Sequence, residues 1–107
     1  MADYVLLYSG GGMPESEEET KAVMAAWDSW FATLGSALKD GGNPFAPGAA
    51  KTVGPDGSVT DGGIAPTASG YSIISADSLD QAVDLAKGCP VSMGGASVSV
   101  YETFNVM

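Results

Sequence analysis

The side chains in this sequence that could do chemistry are carboxylates and phenols: thirteen Asp and Glu and four Tyr, beside one Cys and no His. Without His there is no ordinary acid–base group at neutral pH. There is also no Ser–His or Cys–His nucleophile pair, and almost no route to a zinc site. Acid–base work would fall to a carboxylate of shifted pKa or to a Tyr hydroxyl. Two carboxylates stand out as catalytic candidates, Asp40 and Asp61. Asp40 is expected at the C-terminal end of a helix, just before Gly41-Gly42, where the helix dipole disfavours a charged carboxylate. The alternative for Asp40 is a solvated turn residue, and for Asp61, which opens Asp-Gly-Gly, an Asx-type turn.

Candidate ligand-binding residues are Tyr8, Asn43, Tyr71, Ser99 and Tyr101. The tyrosines would wall a pocket, and Asn43 offers an amide to a ligand or a cap to the helix end. Trp27 is a further aromatic candidate for that wall, but it lies on an apolar helical stripe and reads as core. Cys89, between Gly88 and Pro90 with Lys87 as its one cationic neighbour, reads as a structural thiol. Oxygen ligands from Asp56 to Asp61 have a spacing faintly like a calcium loop but lack its bidentate Glu. No metal and no cofactor is expected.

The formal net charge is -9, with four Lys and Arg. Phosphate backbones and anionic membranes are held by cationic surface, so neither nucleic acid nor membrane is an expected partner. A chain of 107 residues implies one domain, residues 1–107, with a modest core that a partner subunit would help to cover. The N-terminus lacks the basic and apolar segments of a signal peptide, which implies a cytoplasmic location.

The elements that must position these groups follow from the pattern. Tyr4–Tyr8 is a strand broken by Gly10-Gly11-Gly12. A helix follows, but it opens on Glu17, Glu18 and Glu19. Those carboxylates would repel a phosphate, so the glycines read as a turn, with Met13-Pro14 as its exposed corner. Ser16 and Glu19 form a capping box, and the helix is expected to run to about Lys39. At about 100° per residue, Val23, Met24, Trp27, Trp30, Phe31, Leu34 and Leu38 share a stripe roughly 120° wide. Ala49–Val53 reads as the second strand, turning at Gly54-Pro55-Asp56-Gly57 into a short return arm at Ser58–Thr60. A loop from Asp61 to Ser69 leads to a strand at Tyr71–Ser75.

Ser78 and Gln81 cap a second helix whose apolar face holds Leu79, Ala82, Val83 and Ala86, and Gly88 and Pro90 stop it. The last strand, Ser97–Phe104, alternates. Val98, Val100, Glu102 and Phe104 should meet the helices, while Ser97, Ser99, Tyr101 and Thr103 should line a cleft or a wet interface. The order β-α-β-(β)-β-α-β gives an α+β, ferredoxin-like βαββαβ sandwich with an extra short hairpin arm. Both helices would cover one face of the sheet, and the other face would join a homodimer.

The ordered set YVLLYSGG, LKDGG, Thr60-Asp61-Gly62, GYSIISADSLDQAVDLAKGCP and VSVYETF resembles the YCII-related proteins, and among them the DGPF group. The resemblance spans nearly the whole chain. It implies pairing as a dimeric α+β barrel with a cleft on the sheet side. In one branch of that family a His–Asp pair is suggested as the active site, and DGPF members are sometimes linked to transcription initiation. Here the naming motif reads Asp61-Gly62-Gly63-Ile64, Trp27 stands where the His is expected, and Tyr101 replaces an Arg typical of the last strand. The resulting expectation is a small molecule bound in the cleft of the dimer. The alternatives are an enzyme using carboxylate and Tyr chemistry with Asp40, Asp61 and Tyr101, or a regulatory partner protein.

Overall fold

The computed structural model describes residues 2–12, 14–65 and 67–106. Met13, expected at an exposed corner, and Pro66, in the expected loop, lie outside the described residues. Strand β1 (Ala2–Ser9) buries Tyr4, Leu6 and Tyr8 and leaves the alternate residues less covered. It is central. Strand β5 (Ala68–Ala76) pairs antiparallel on one side, with Leu6 opposite Ser72, and β6 (Ser97–Glu102) on the other, with Leu6 opposite Val100. Strand β2 (Leu38–Asp40) completes a four-stranded sheet of order β2-β5-β1-β6. This is the ferredoxin-like order, with α1 (Glu17–Leu34) and α2 (Leu79–Ala86) on one face. Neither helix is long and apolar enough to cross a membrane.

Helix α1 starts as its sequence dictates. The Ser16 hydroxyl accepts the Glu19 N–H at 3.1 Å, and the Glu19 carboxylate accepts the Glu15 N–H at 2.9 Å. It stops earlier than expected. Gly35 takes a φ of +55°, its N–H bonds to the Phe31 carbonyl, and Gly35–Ala37 is a 3₁₀ turn. Leu38 and Asp40 therefore leave the helix and pair with Ile74 and Ile73 of β5. The strand that completes the sheet is thus Leu38–Asp40, not Ala49–Val53. On the stripe, Trp30 and Leu34 are buried, but Met24 is 63% exposed.

Residues Lys51–Val53 (β3) and Val59–Asp61 (β4) make a separate two-stranded hairpin, an insertion between β2 and β5. Its turn is fixed by Gly54 N–H to Ser58 O at 2.7 Å and by Ser58 N–H to the Asp56 carboxylate at 2.9 Å. The Ser58 bonds hold the Asp56 carboxyl below its ordinary range.

Strand β5 is longer than expected, and α2 follows through the predicted cap, Gln81 N–H to the Ser78 hydroxyl at 3.1 Å. The buried side of α2 is small, Ala82 and Ala86, with Leu85 beside them. Leu79 and Val83, expected inside, are 44% and 38% exposed. Alanine lets this helix approach the sheet closely, which turns its longer side chains toward the flanks. The Trp30 indole N–H donates to the Leu85 carbonyl at 3.0 Å, and Gly88 leaves room for that ring. Strand β6 ends at Glu102, short of Phe104, which is 83% exposed.

Candidate functional site

The C-terminal end of β1 lies beside the entry ends of β5 and β6, because Ser9 pairs with both Ala68 and Ser97. Two of these strand ends run into glycine: Gly10-Gly11-Gly12 after β1, and Gly94-Gly95 before β6. The two loops are tied by Gly12 N–H to Gly94 O at 3.0 Å. A Cβ on Gly11 would collide with the Ala96 side chain, and φ at Gly11 is +85°, so the sequence at this crossing is constrained to glycine. The N-terminal half of α1 stands over this end. Together they border an open cleft of about 700 Å³.

Among the described residues, Trp27, Val23 and Ala22 of α1 line it, as do Pro90, Val91 and Met93. Pro44 and Ser69 also line it, and Glu15 and Glu19 supply the charge. Trp27 is fixed from behind. Its ring meets Tyr8 edge-on at 5.7 Å and Trp30 at 5.6 Å, and tilts against Phe31 at 5.6 Å. Chemically, the site can hold a planar apolar body against the indole and accept hydrogen bonds at its two carboxylates.

The candidate residues are placed as follows. Tyr8 lies one layer behind the cleft, buried on the helix side of the sheet. Its hydroxyl donates to Ser72 Oγ at 2.6 Å, and Ser72 donates to the Gly41 carbonyl at 2.8 Å. Burial pushes the Tyr8 phenol far above its ordinary value, and also raises the buried Cys89 thiol beside it. Tyr71, Ser99 and Tyr101 share the opposite, open face. Register puts Tyr71 and Ser99 in one row across Leu7, and Tyr101 in the next row across Val5 from Ile73. Phe45 stacks on Tyr71 with a centroid distance of 6.0 Å. The Asn43 carbonyl accepts the Tyr71 N–H at 3.4 Å.

Asp40 sits in the edge strand opposite Ile73, its carboxylate accepting the Gly42 N–H at 2.8 Å. It is not at a helix end, so the dipole argument has no geometric basis there. Asp61 is on the hairpin, paired with Lys51 at 2.6 Å and exposed. The two aspartates belong to different sheets. Glu102, expected on the helix-side face either buried or at a frayed strand end, lies opposite Tyr4 as the exposed last residue of β6 and accepts the Tyr4 hydroxyl at 2.9 Å; burial first, and then that carboxylate, raises the Tyr4 phenol.

Most of the cleft lining is not evident from sequence, where Gly10–Gly12 read as a turn; Trp27 is open to a pocket-wall reading, but its stripe favours core. The one signal that could have found it is the coincidence of two glycine-rich stretches at the ends of strands destined to pair, since antiparallel pairing of β1 and β6 must bring them together.

No family model matches the chain, and no curated protein is similar to it by sequence. Among solved structures, the fold matches 5-chloro-2-hydroxyhydroquinone dehydrochlorinase from Burkholderia phenoliruptrix AC1100, solved in complex with 2,5-dihydroxybenzoquinone. The match has a TM-score of 0.53 at 19% identity and covers 95% of this chain and 93% of that one, which ties this chain to that enzyme by fold alone.

Proposed function

We propose that this chain is a small-molecule-binding protein of the YCII-related, DGPF-like type that takes a planar ligand in the cleft beside Trp27. The observation that carries the reading is the cleft itself: about 700 Å³, largely apolar in its lining, with an indole braced by three aromatic rings. That volume falls within the range of small-molecule sites, about 300–1,000 Å³. The structural neighbour's quinone, a planar ring, is a ligand of the size and shape such a cleft admits. The carboxylate enzyme reading gains no comparable support, because Asp61 is engaged with Lys51 and lies in a different sheet from Asp40.

A panel of planar aromatic compounds in a thermal-shift assay tests this reading. A ligand at about one hundred times its Kd stabilises by about 2.7 kcal/mol, on the order of 10 °C for a chain of this size. Trp27→Leu should remove the shift. Met93→Trp, which adds bulk at an exposed lining residue outside the core, should remove it as well. A panel without any stabilising compound, or shifts unchanged in both variants, overturns the reading.

The same proposal includes a homodimer joined through the open sheet face. The molecule is only 17 Å thick, and its radius of gyration, 15.2 Å, exceeds the roughly 13 Å of a compact chain of this length. Val5, Leu7, Tyr71, Ile73 and Tyr101 share an apolar face that, among the described residues, neither helix covers, and Tyr101 is 55% exposed. Light scattering at micromolar concentration should give twice the chain mass, and Tyr101→Lys, placing a like charge across the interface, should give the chain mass. A wild-type monomer contradicts this part of the proposal.

A further inference from the structure

We propose that the cleft beside Trp27 discriminates by charge, admitting cationic planar ligands and rejecting anionic ones. The inference rests on the binding reading above and adds the ligand class. Among the described residues that line the cleft, the charged side chains are Glu15 and Glu19, and none is Lys or Arg. Lys21, the cation nearest them in sequence, is not among the lining residues.

An anion would ordinarily be drawn to the start of an 18-residue helix. Here that attraction is already used. The Glu19 N–H is taken by the Ser16 hydroxyl, and the Glu19 carboxylate is held by the Glu15 N–H at 2.9 Å. The helix end offers about half a positive charge. It faces Glu15, Glu17, Glu18 and Glu19 within one turn, so the local sum is negative. The rest of the molecule does not reverse that sign, with thirteen acidic residues against four basic ones. The Trp27 indole, which lines the cleft, would act in the same direction on a cation seated over its face, since the face of an aromatic ring attracts a cation. Charge and quadrupole therefore select the same ligands: flat, apolar bodies carrying a positive charge, such as aromatic ammonium or N-alkylated heterocyclic compounds.

Three bicyclic probes of similar size and different charge test the inference by calorimetry at low salt: 1-methylquinolinium, neutral quinoline and 2-naphthoate. The cation should bind about tenfold or more tightly than the anion, with quinoline between, and the ratio should shrink as salt screens the carboxylates. In the double variant Glu15→Gln and Glu19→Gln the ratio should fall severalfold, to the remainder that Glu17, Glu18 and the Trp27 ring supply. The side-chain amide oxygen introduced by Glu19→Gln still accepts the backbone N–H at position 15, so the helix start survives, and an unchanged melting curve verifies that. Naphthoate binding as tightly as the cation, or a cation-to-anion ratio unchanged in the double variant, overturns the charge inference while leaving the binding site intact. Failure of all three probes overturns the site and the inference together.

Discussion

Replacing Gly42 with alanine should destabilise the fold by about 3–5 kcal/mol, a large part of the roughly 5–15 kcal/mol that holds a domain of this size together. Two costs combine. Gly42 has a φ of +71°, where a side chain costs about 1–2 kcal/mol. The second is spatial: a Cβ there would fall on the Tyr71 carbonyl, which is backbone of a sheet strand paired on both sides and cannot rotate aside. The segment from Asp40 to Phe45 would have to lift from β5, releasing Asn43 O from Tyr71 N–H and Phe45 N–H from Ser69 O. Gly57 gives the control. Its φ is +87°, but open space surrounds its Cβ position, so Gly57→Ala should cost only the conformational term, about 1–2 kcal/mol. Urea unfolding of the two variants separates the effects. Equal losses would show that the close approach at Gly42 carries no energy.

That seam also marks the limit of what the sequence reveals. Strands that alternate, helices that carry caps and the order that joins them are legible. Tyr4, Leu6 and Tyr8 have to share a face, and Ser78 with Gln81 has to start a helix. Leu38–Asp40 is not legible, because Leu34 and Leu38 are four apart and continue a helical pattern past Gly35. A three-residue strand has no alternation to read, and what makes it a strand is a distant partner, Ile73–Ile74. The same error carries over to Asp40, because its expected helix dipole belongs to a helix that has already ended. Tyr8 has the chemistry of a binding residue, although its parity with Leu6 places it in the core. The cleft is hidden for a related reason: its walls come from α1 and from residues 90–96, which meet only in three dimensions.

The second large effect concerns Ser72, fully buried in a core otherwise made largely of apolar groups. It accepts from the Tyr8 hydroxyl at 2.6 Å and donates to the Gly41 carbonyl at 2.8 Å, so one hydroxyl joins the central strand to the Gly41-Gly42 turn. Ser72→Ala strands a buried donor, the Tyr8 hydroxyl, and a half-buried acceptor, the Gly41 carbonyl, at once. At about 1–3 kcal/mol for each unpaired group, the loss should be about 2–4 kcal/mol. The nearby Cys89 sulfur is too weak an acceptor to replace the serine oxygen. Tyr8→Phe removes only the donor and leaves Ser72 bonded to Gly41, so it should cost about 1 kcal/mol. The double variant Tyr8→Phe with Ser72→Ala strands only the carbonyl. It should therefore lose about 1 kcal/mol less than the sum of the single losses. Strict additivity in urea melts would mean that the phenol and the serine do not act as a pair. Coupling of the expected sign would mean that the tyrosine bracing Trp27 and the turn carrying Gly42 are joined through one oxygen, so that the cleft wall and the β2 edge are positioned by the same buried bond.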